Sequence, residues 1–163
     1  MGLYDIKSLF EYNWTIREKW FDWCRDLSSK ELQKERKGGM KGILPTLFHI
    51  IDVENRWLRG LAKDEPRTHN FEDYHTLDAL IELSEETKAY TLKFLNHYNT
   101  SKLKTDILHG VNKQGEEVSY FYIEVLLHVA VHETHHIGQL SVWAREMEME
   151  PVSANLIGLN LFN

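Results

Sequence analysis

The stretch HVAVHETHHIGQL, residues 128 to 140, holds four of the chain's nine histidines. Imidazole is a common metal ligand and a proton carrier near neutral pH, so the spacing of the four decides what they can do. His132 and His136 are four residues apart, which on a helix places both on one face where they can share an ion. The letters HETHH also spell H-E-x-x-H, a zinc-protease signature in which the glutamate is the general base. Glu133 follows His132 by one step, about 100° round a helix, and need not face the same ion. His135 lies about 300° from His132, on a neighbouring face that looks to solvent or to a supporting position beside the ligands. His128 precedes His132 by one turn and is either a hydrogen-bonding neighbour or a further ligand.

Two ligands from one helix leave a zinc-type site short, because catalytic sites have three protein ligands and one open position. A protease would supply the third downstream. No histidine follows His136, Gly138 comes one place early for the longer metzincin form, and Glu146, Glu148 and Glu150 lie too near to return on another helix. Upstream, His49 sits in a run with Ile50, Val53 and Trp57 and could face the later pair. A lone histidine on an apolar face is ordinarily a hydrogen-bonded core or rim residue, but burying His132 and His136 together beside Leu126, Val129 and Leu140 is costly unless they are paired or bound to metal. His69, His75, His97 and His109 fall in loops or at helix ends, where exposure accounts for them.

Four stretches have the apolar period of long helices. The first runs from about Tyr4 to Leu27 through Leu3, Ile6, Phe10, Trp14, Ile16, Trp20 and Trp23. The polar, glycine-bearing SSKELQKERKGGMKG then reads as a loop with one helical turn at most. The second helix opens at ILPTLFHIIDVENRWLRGL, with Pro45 in the first turn, where its missing N–H is not needed, and Gly60 and Pro66 marking its end. The third begins near Thr76 or Leu77 and carries Leu80, Leu83 and Leu95. KTDILHGVNKQGEEVSY predicts a small hairpin turning at NKQGEE. From Ser119, a suitable cap, the fourth helix runs to about Glu146. The tail after Pro151 is apolar without period and should pack as irregular chain. The whole predicts one all-α domain over residues 1–163, a four-helix bundle with a hairpin-like insertion before the last helix.

Composition excludes several classes. Charged residues make up 27% and hydrophobic ones 42%, which argues against disorder. A net charge of −6 argues against a nucleic-acid partner, since phosphate contacts need a basic surface. The run Lys34 to Lys41 reads as a solvated loop. One cysteine, Cys24, permits no internal disulfide and reads as a buried, inert thiol. There is neither a signal-like start nor an 18-residue apolar run, so no membrane association is expected and a cytoplasmic location is the default.

TLFHIIDVENRWLRG, followed some eighty residues later by LLHVAVHETHHIGQLSVWAREMEMEPVSANLIGLN, closely resembles the DinB family of the DinB/YfiT-like metalloenzyme superfamily, unrelated to the DNA polymerase of that name. The resemblance covers nearly the whole chain. It implies a four-helix bundle, often a homodimer, binding one divalent metal through three histidines, which by motif position are His49, His132 and His136. His135, Gly138 and Gln139 match the family's HH-x-G-Q run, where the glycine would permit close helix approach and Gln139 would help orient the site. Zinc or nickel comes first, with iron or copper as alternatives, since three imidazoles suit all four. The implied activity is a thiol S-transferase, adding a low-molecular-weight thiol such as bacillithiol to a small-molecule electrophile. A metal-dependent hydrolase and a non-enzymatic, metal-stabilised dimer are the alternatives. The family name implies damage-inducible expression in some members. The five tryptophans, three of them on the first helix, could serve a partner face as well as a core.

Overall fold

The computed structural model describes residues 3–161. The chain is mostly helical, with four long helices, a short one and a two-stranded hairpin among the described residues. Helix α1 spans Leu3–Arg25, and the short α2, Ser29–Leu32, is the single turn expected in the first loop. Helix α3 spans Ile43–Ala62 and α4 Leu77–His97. Strands β1, Ile107–Val111, and β2, Glu117–Phe121, precede α5, Tyr122–Glu146. Pro45 is the third residue of α3, as its chemistry suggests. Thr76 caps α4, its hydroxyl accepting the Ala79 N–H at 3.3 Å.

Two boundaries differ from the sequence reading. Helix α3 continues through Gly60 and stops at Ala62, with Lys63 in the left-handed region at φ 57°. Its N–H and that of Asp64 reach back to the carbonyls of Gly60 and Arg59, satisfying the helix end without a glycine. Ser119 does not cap α5. The ladder pairs Ile107 with Phe121 and His109 with Ser119, so Ser119 is committed to the hairpin, where its hydroxyl meets His109 Nδ1 at 2.8 Å. The helix starts two residues past the expected start, and the Glu124 carboxylate accepts the Phe121 N–H at 2.8 Å. The hairpin turn uses Gly115 at φ 84°, a conformation that suits glycine.

Helix α3 packs against α4 and α5, and α1 against the same two. The buried side chains form two apolar clusters, one around Trp20, Leu47, Ile51, Leu83 and Trp143, the other around Phe10, Leu58, Leu95 and Leu126. A buried polar layer crosses every long helix and separates the clusters in sequence on α3, α4 and α5: Asn13 and Arg17 on α1, Glu54 on α3, Ser84, Thr87 and Thr91 on α4, and Glu133 on α5. The large aromatics serve this interior. Trp14, Trp20 and Trp143 are buried, and Trp23 packs on the first cluster while donating to the Glu150 carbonyl at 2.9 Å. Of the three tryptophans on α1, only Trp23 is partly exposed.

The tail after Glu146 is irregular and lies back on α1, where Tyr12 Oη donates to the Ala154 carbonyl and Ser8 Oγ to that of Leu161. Cys24 is fully buried, and burial pushes its thiol up to about 12, so the inert reading holds. The basic loop is exposed as expected, except at Arg36. Arg36 is held by the Glu31 carboxylate and the Met147 sulfur, its side chain only 6% exposed. No helix among the described residues is long and apolar enough to cross a membrane.

Candidate metal centre

Helices α3 and α5 bring His49, His132 and His136 together. Their nearest ring nitrogens all lie within 4.8 Å of one another, and none of the three is an exposed residue. His49 Nε2 and His132 Nε2 are 3.1 Å apart. The ring centroids are separated by 4.9 Å for His49 and His132, 4.8 Å for His49 and His136, and 4.5 Å for His132 and His136. A tetrahedral ion with Zn–N bonds of about 2.0–2.1 Å sets its ligand nitrogens roughly 3.3–3.4 Å apart. Such an ion fits three convergent imidazoles of this spacing with small ring movements.

The electrostatics suit ligation. Burial, then the neighbouring histidines, hold His132 down at about 4, and burial with His49 and His135 holds His136 at about 4. His49 is lowered by burial and by the positive charges of Arg56 and Lys113, against the pull of Asp52. At neutral pH all three are therefore uncharged, the form that offers a lone pair to a metal.

Glu133 takes no part. Helix α5 turns it into the core, where its carboxylate accepts Arg17 Nε at 2.8 Å and Nη2 at 2.5 Å. Arg17 Nη2 also donates to Glu54 at 2.6 Å and Nη1 to Ser84 Oγ at 3.1 Å. Glu54 in turn accepts from Trp14 Nε1 at 3.1 Å and Thr91 Oγ1 at 2.7 Å. The glutamate of HETHH is thus a structural anion in the polar layer, and no carboxylate joins the three histidines among the described residues. Asp52, one turn after His49, is committed to Arg56 at 2.9 Å and to His69 Nδ1 at 3.2 Å.

The other histidines divide by environment. His128 stands beside the cluster, its ring 5.7 Å from that of His132 and edge-on to Trp57 at 5.9 Å. His135 is exposed and touches His136 edge-on at 5.1 Å. His75, His97 and His109 are exposed as expected, but His69 is not, with its side chain 3% exposed between Asp52 and Tyr74. The loop folds back over α3 there, which the loop's composition does not reveal. Gln139 lies against Gly38 and Gly39, where a Cβ on Gly39 would come within 3.0 Å of its Cγ. It holds the basic loop against α5. Gly138 is exposed, and a Cβ there would meet nothing within 4 Å, so it enables no close approach inside the chain.

Arg17 and Glu54 were not singled out by their sequence context, yet each stands on a buried stripe. Arg17 falls in the series Phe10, Trp14, Arg17, Phe21, and Glu54 in Ile50, Glu54, Leu58, Leu61. A charged residue at such a position is the available signal.

A mostly helical chain that gathers three histidines from two long helices is a candidate metal-binding protein. The chain belongs to the DinB family, whose family model matches residues 3–160. It is similar to the uncharacterized protein YizA of Bacillus subtilis (strain 168), with 44% identity over 156 residues, covering 96% of each chain.

Proposed function

We propose that His49, His132 and His136 bind one divalent ion, zinc or nickel before iron or copper, in a four-helix bundle of the DinB/YfiT-like type. We further propose that the protein is a metal-dependent enzyme of thiol S-transferase type. The observation that carries this reading is the make-up of the site: three imidazoles and, among the described residues, no carboxylate. Such an ion keeps its full positive charge, favours an anionic ligand, and would supply Lewis acidity that lowers the pKa of a bound thiol or water. With Glu133 held by Arg17, the site has no carboxylate base of the kind a zinc protease uses. That favours a nucleophile that needs no protein carboxylate, and a low-molecular-weight thiol meets the requirement. Three protein ligands, with His128 outside the convergent group, fit a chemical centre better than a four-ligand structural one.

Cobalt-substituted protein titrated with bacillithiol, glutathione and cysteine tests the reading. The expected result is an intense near-ultraviolet charge-transfer band with at least one thiol, unchanged in kind in His128→Ala. A response only in His128→Ala would make His128 a fourth ligand and the centre structural. A response to azide or hydroxide but to no thiol would move the assignment to a hydrolase.

A homodimer through α5 is part of the proposal. Val131 and Val142 are 66% and 48% exposed, and with His135 and Gly138 they form one outward stripe at steps of four, three and four. Light scattering at micromolar concentration should give twice the 19.3 kDa of one chain, and Val142→Glu should shift it toward the monomer. A wild-type mass of one chain over a wide concentration range would refute it.

A further inference from the structure

A cleft of about 260 Å³ opens beside the candidate metal centre, between α3, β2 and α5. Its walls are Trp57, Tyr120, Val125, His128 and Glu124. Trp57 is the pivot. Its ring meets Tyr120 edge-on at 6.1 Å on one side and His128 edge-on at 5.9 Å on the other. The one carboxylate in the wall, Glu124, is already engaged by the Phe121 N–H at the start of α5. The rest of the wall is aromatic and aliphatic surface with an imidazole at one end. That imidazole is the wall nearest the centre, 5.7 Å ring to ring from His132.

We propose that this cleft is the specificity pocket of the metal centre and takes the flat, uncharged, aromatic or conjugated part of a small-molecule substrate, with the reacting end of that molecule directed past His128 toward the three histidines. The inference rests on the metal-centre reading. Aromatic rings presented at right angles to one another accept a further ring by edge-to-face or offset contact. Size sets an upper bound: an apolar cavity of about 150 Å³ holds benzene, so this cleft takes one ring, or two fused rings, and not a large cofactor. The wall has no cation to offset the desolvation of a negative charge, and its one charged group, Glu124, repels an anion, so an anionic ligand end belongs outside it. His128 is a positioning residue here, its ring nitrogens available to hydrogen-bond a polar atom between ring and metal.

The probe is a pair of metal-binding hydroxamates that differ only in the attached group, benzohydroxamate and acetohydroxamate, titrated into zinc-loaded full-length protein with metal content measured in every sample. In the wild type the aryl compound should bind about 10-fold tighter or more, as expected for a ring entering an apolar aromatic pocket. Trp57→Ala removes the pivot and Val125→Phe fills the cleft, and each should bring the ratio to within about 2-fold. Metal-loaded wild type that binds both hydroxamates equally would overturn the cleft and leave the metal centre standing. Wild type that takes up no metal and binds neither compound would remove the centre and this inference with it. Should either variant fail to fold, the wild-type ratio alone decides.

Discussion

His132→Ala and His136→Ala should each reduce bound metal from about one ion per chain to nearly none after dialysis, with affinity falling by more than about 100-fold, since losing even a supporting partner of a ligand costs 10- to 100-fold. His49→Ala should do the same, because it is the histidine that α3 brings to the two on α5. Near-stoichiometric metal in any one of these would remove that residue from the set. The pH dependence is equally specific. Protons and metal compete for the same lone pairs, and His132 and His136 are held at about 4 rather than 6.5. Metal should therefore persist through pH 6 and be released only at about pH 5 or below. For the metal-free protein the sign follows from linkage. Folded values below the unfolded 6.5 mean that the unfolded chain binds more protons between about 4 and 6.5, so stability is full above that window and lost as pH falls through it. Denaturant melts at pH 7.5, 6 and 5 should show this loss in the wild type and a smaller one in the His132→Ala/His136→Ala double variant. Equal slopes in the two proteins would count against the lowered values.

Arg17→Met should be the most destabilising single change, by about 3–5 kcal/mol at pH 7, because it leaves Glu54 and Glu133 buried with no countercharge. The loss should shrink as pH falls. Burial raises the Glu133 carboxyl and Arg17 opposes the rise, so without the guanidinium it goes higher, and a group raised in this way favours the fold at low pH and disfavours it as pH rises through the folded value. Urea melts of wild type and variant at pH 7 and pH 5 measure the gap, which should narrow. The triple change Arg17→Met, Glu54→Gln, Glu133→Gln should recover much of the stability, since the buried anions are gone. A gap that widened toward acid would show that the network is not ionised in the way its geometry implies.

Much of this was legible because helical period and metal spacing are local properties. His132 and His136 share a face by arithmetic, and α1, α3, α4 and α5 fall where apolar residues recur. The contribution of His49, across some eighty residues, was reachable only by resemblance, since spacing cannot bring separate helices together. The start of α5 was misplaced because Ser119 has two uses, helix cap and strand partner, and the ladder with β1 decided between them. His69 read as a surface residue because only the path of its loop buries it. Glu133 could be dismissed as a base from its angle on the helix, but its partner is a residue 116 positions away on α1. No local pattern names such a partner.

The polar layer works as a key. Glu133 can meet Arg17 in only one rotation of α5 about its axis and at only one height along it, and sliding the helix by a turn would carry a carboxylate into an apolar cluster. That setting also fixes where His132 and His136 point, since they are one step before and three steps after Glu133 on the same helix. The three imidazoles are therefore aligned by the core of the protein, before any ion arrives. Whereas a zinc finger is unfolded without its metal, the alignment of these histidines rests on the buried Arg17–Glu133 pair, so on the proposed reading folding is expected to precede loading. On that reading an ion would exchange, or be swapped for another of similar size, without unmaking the structure that receives it.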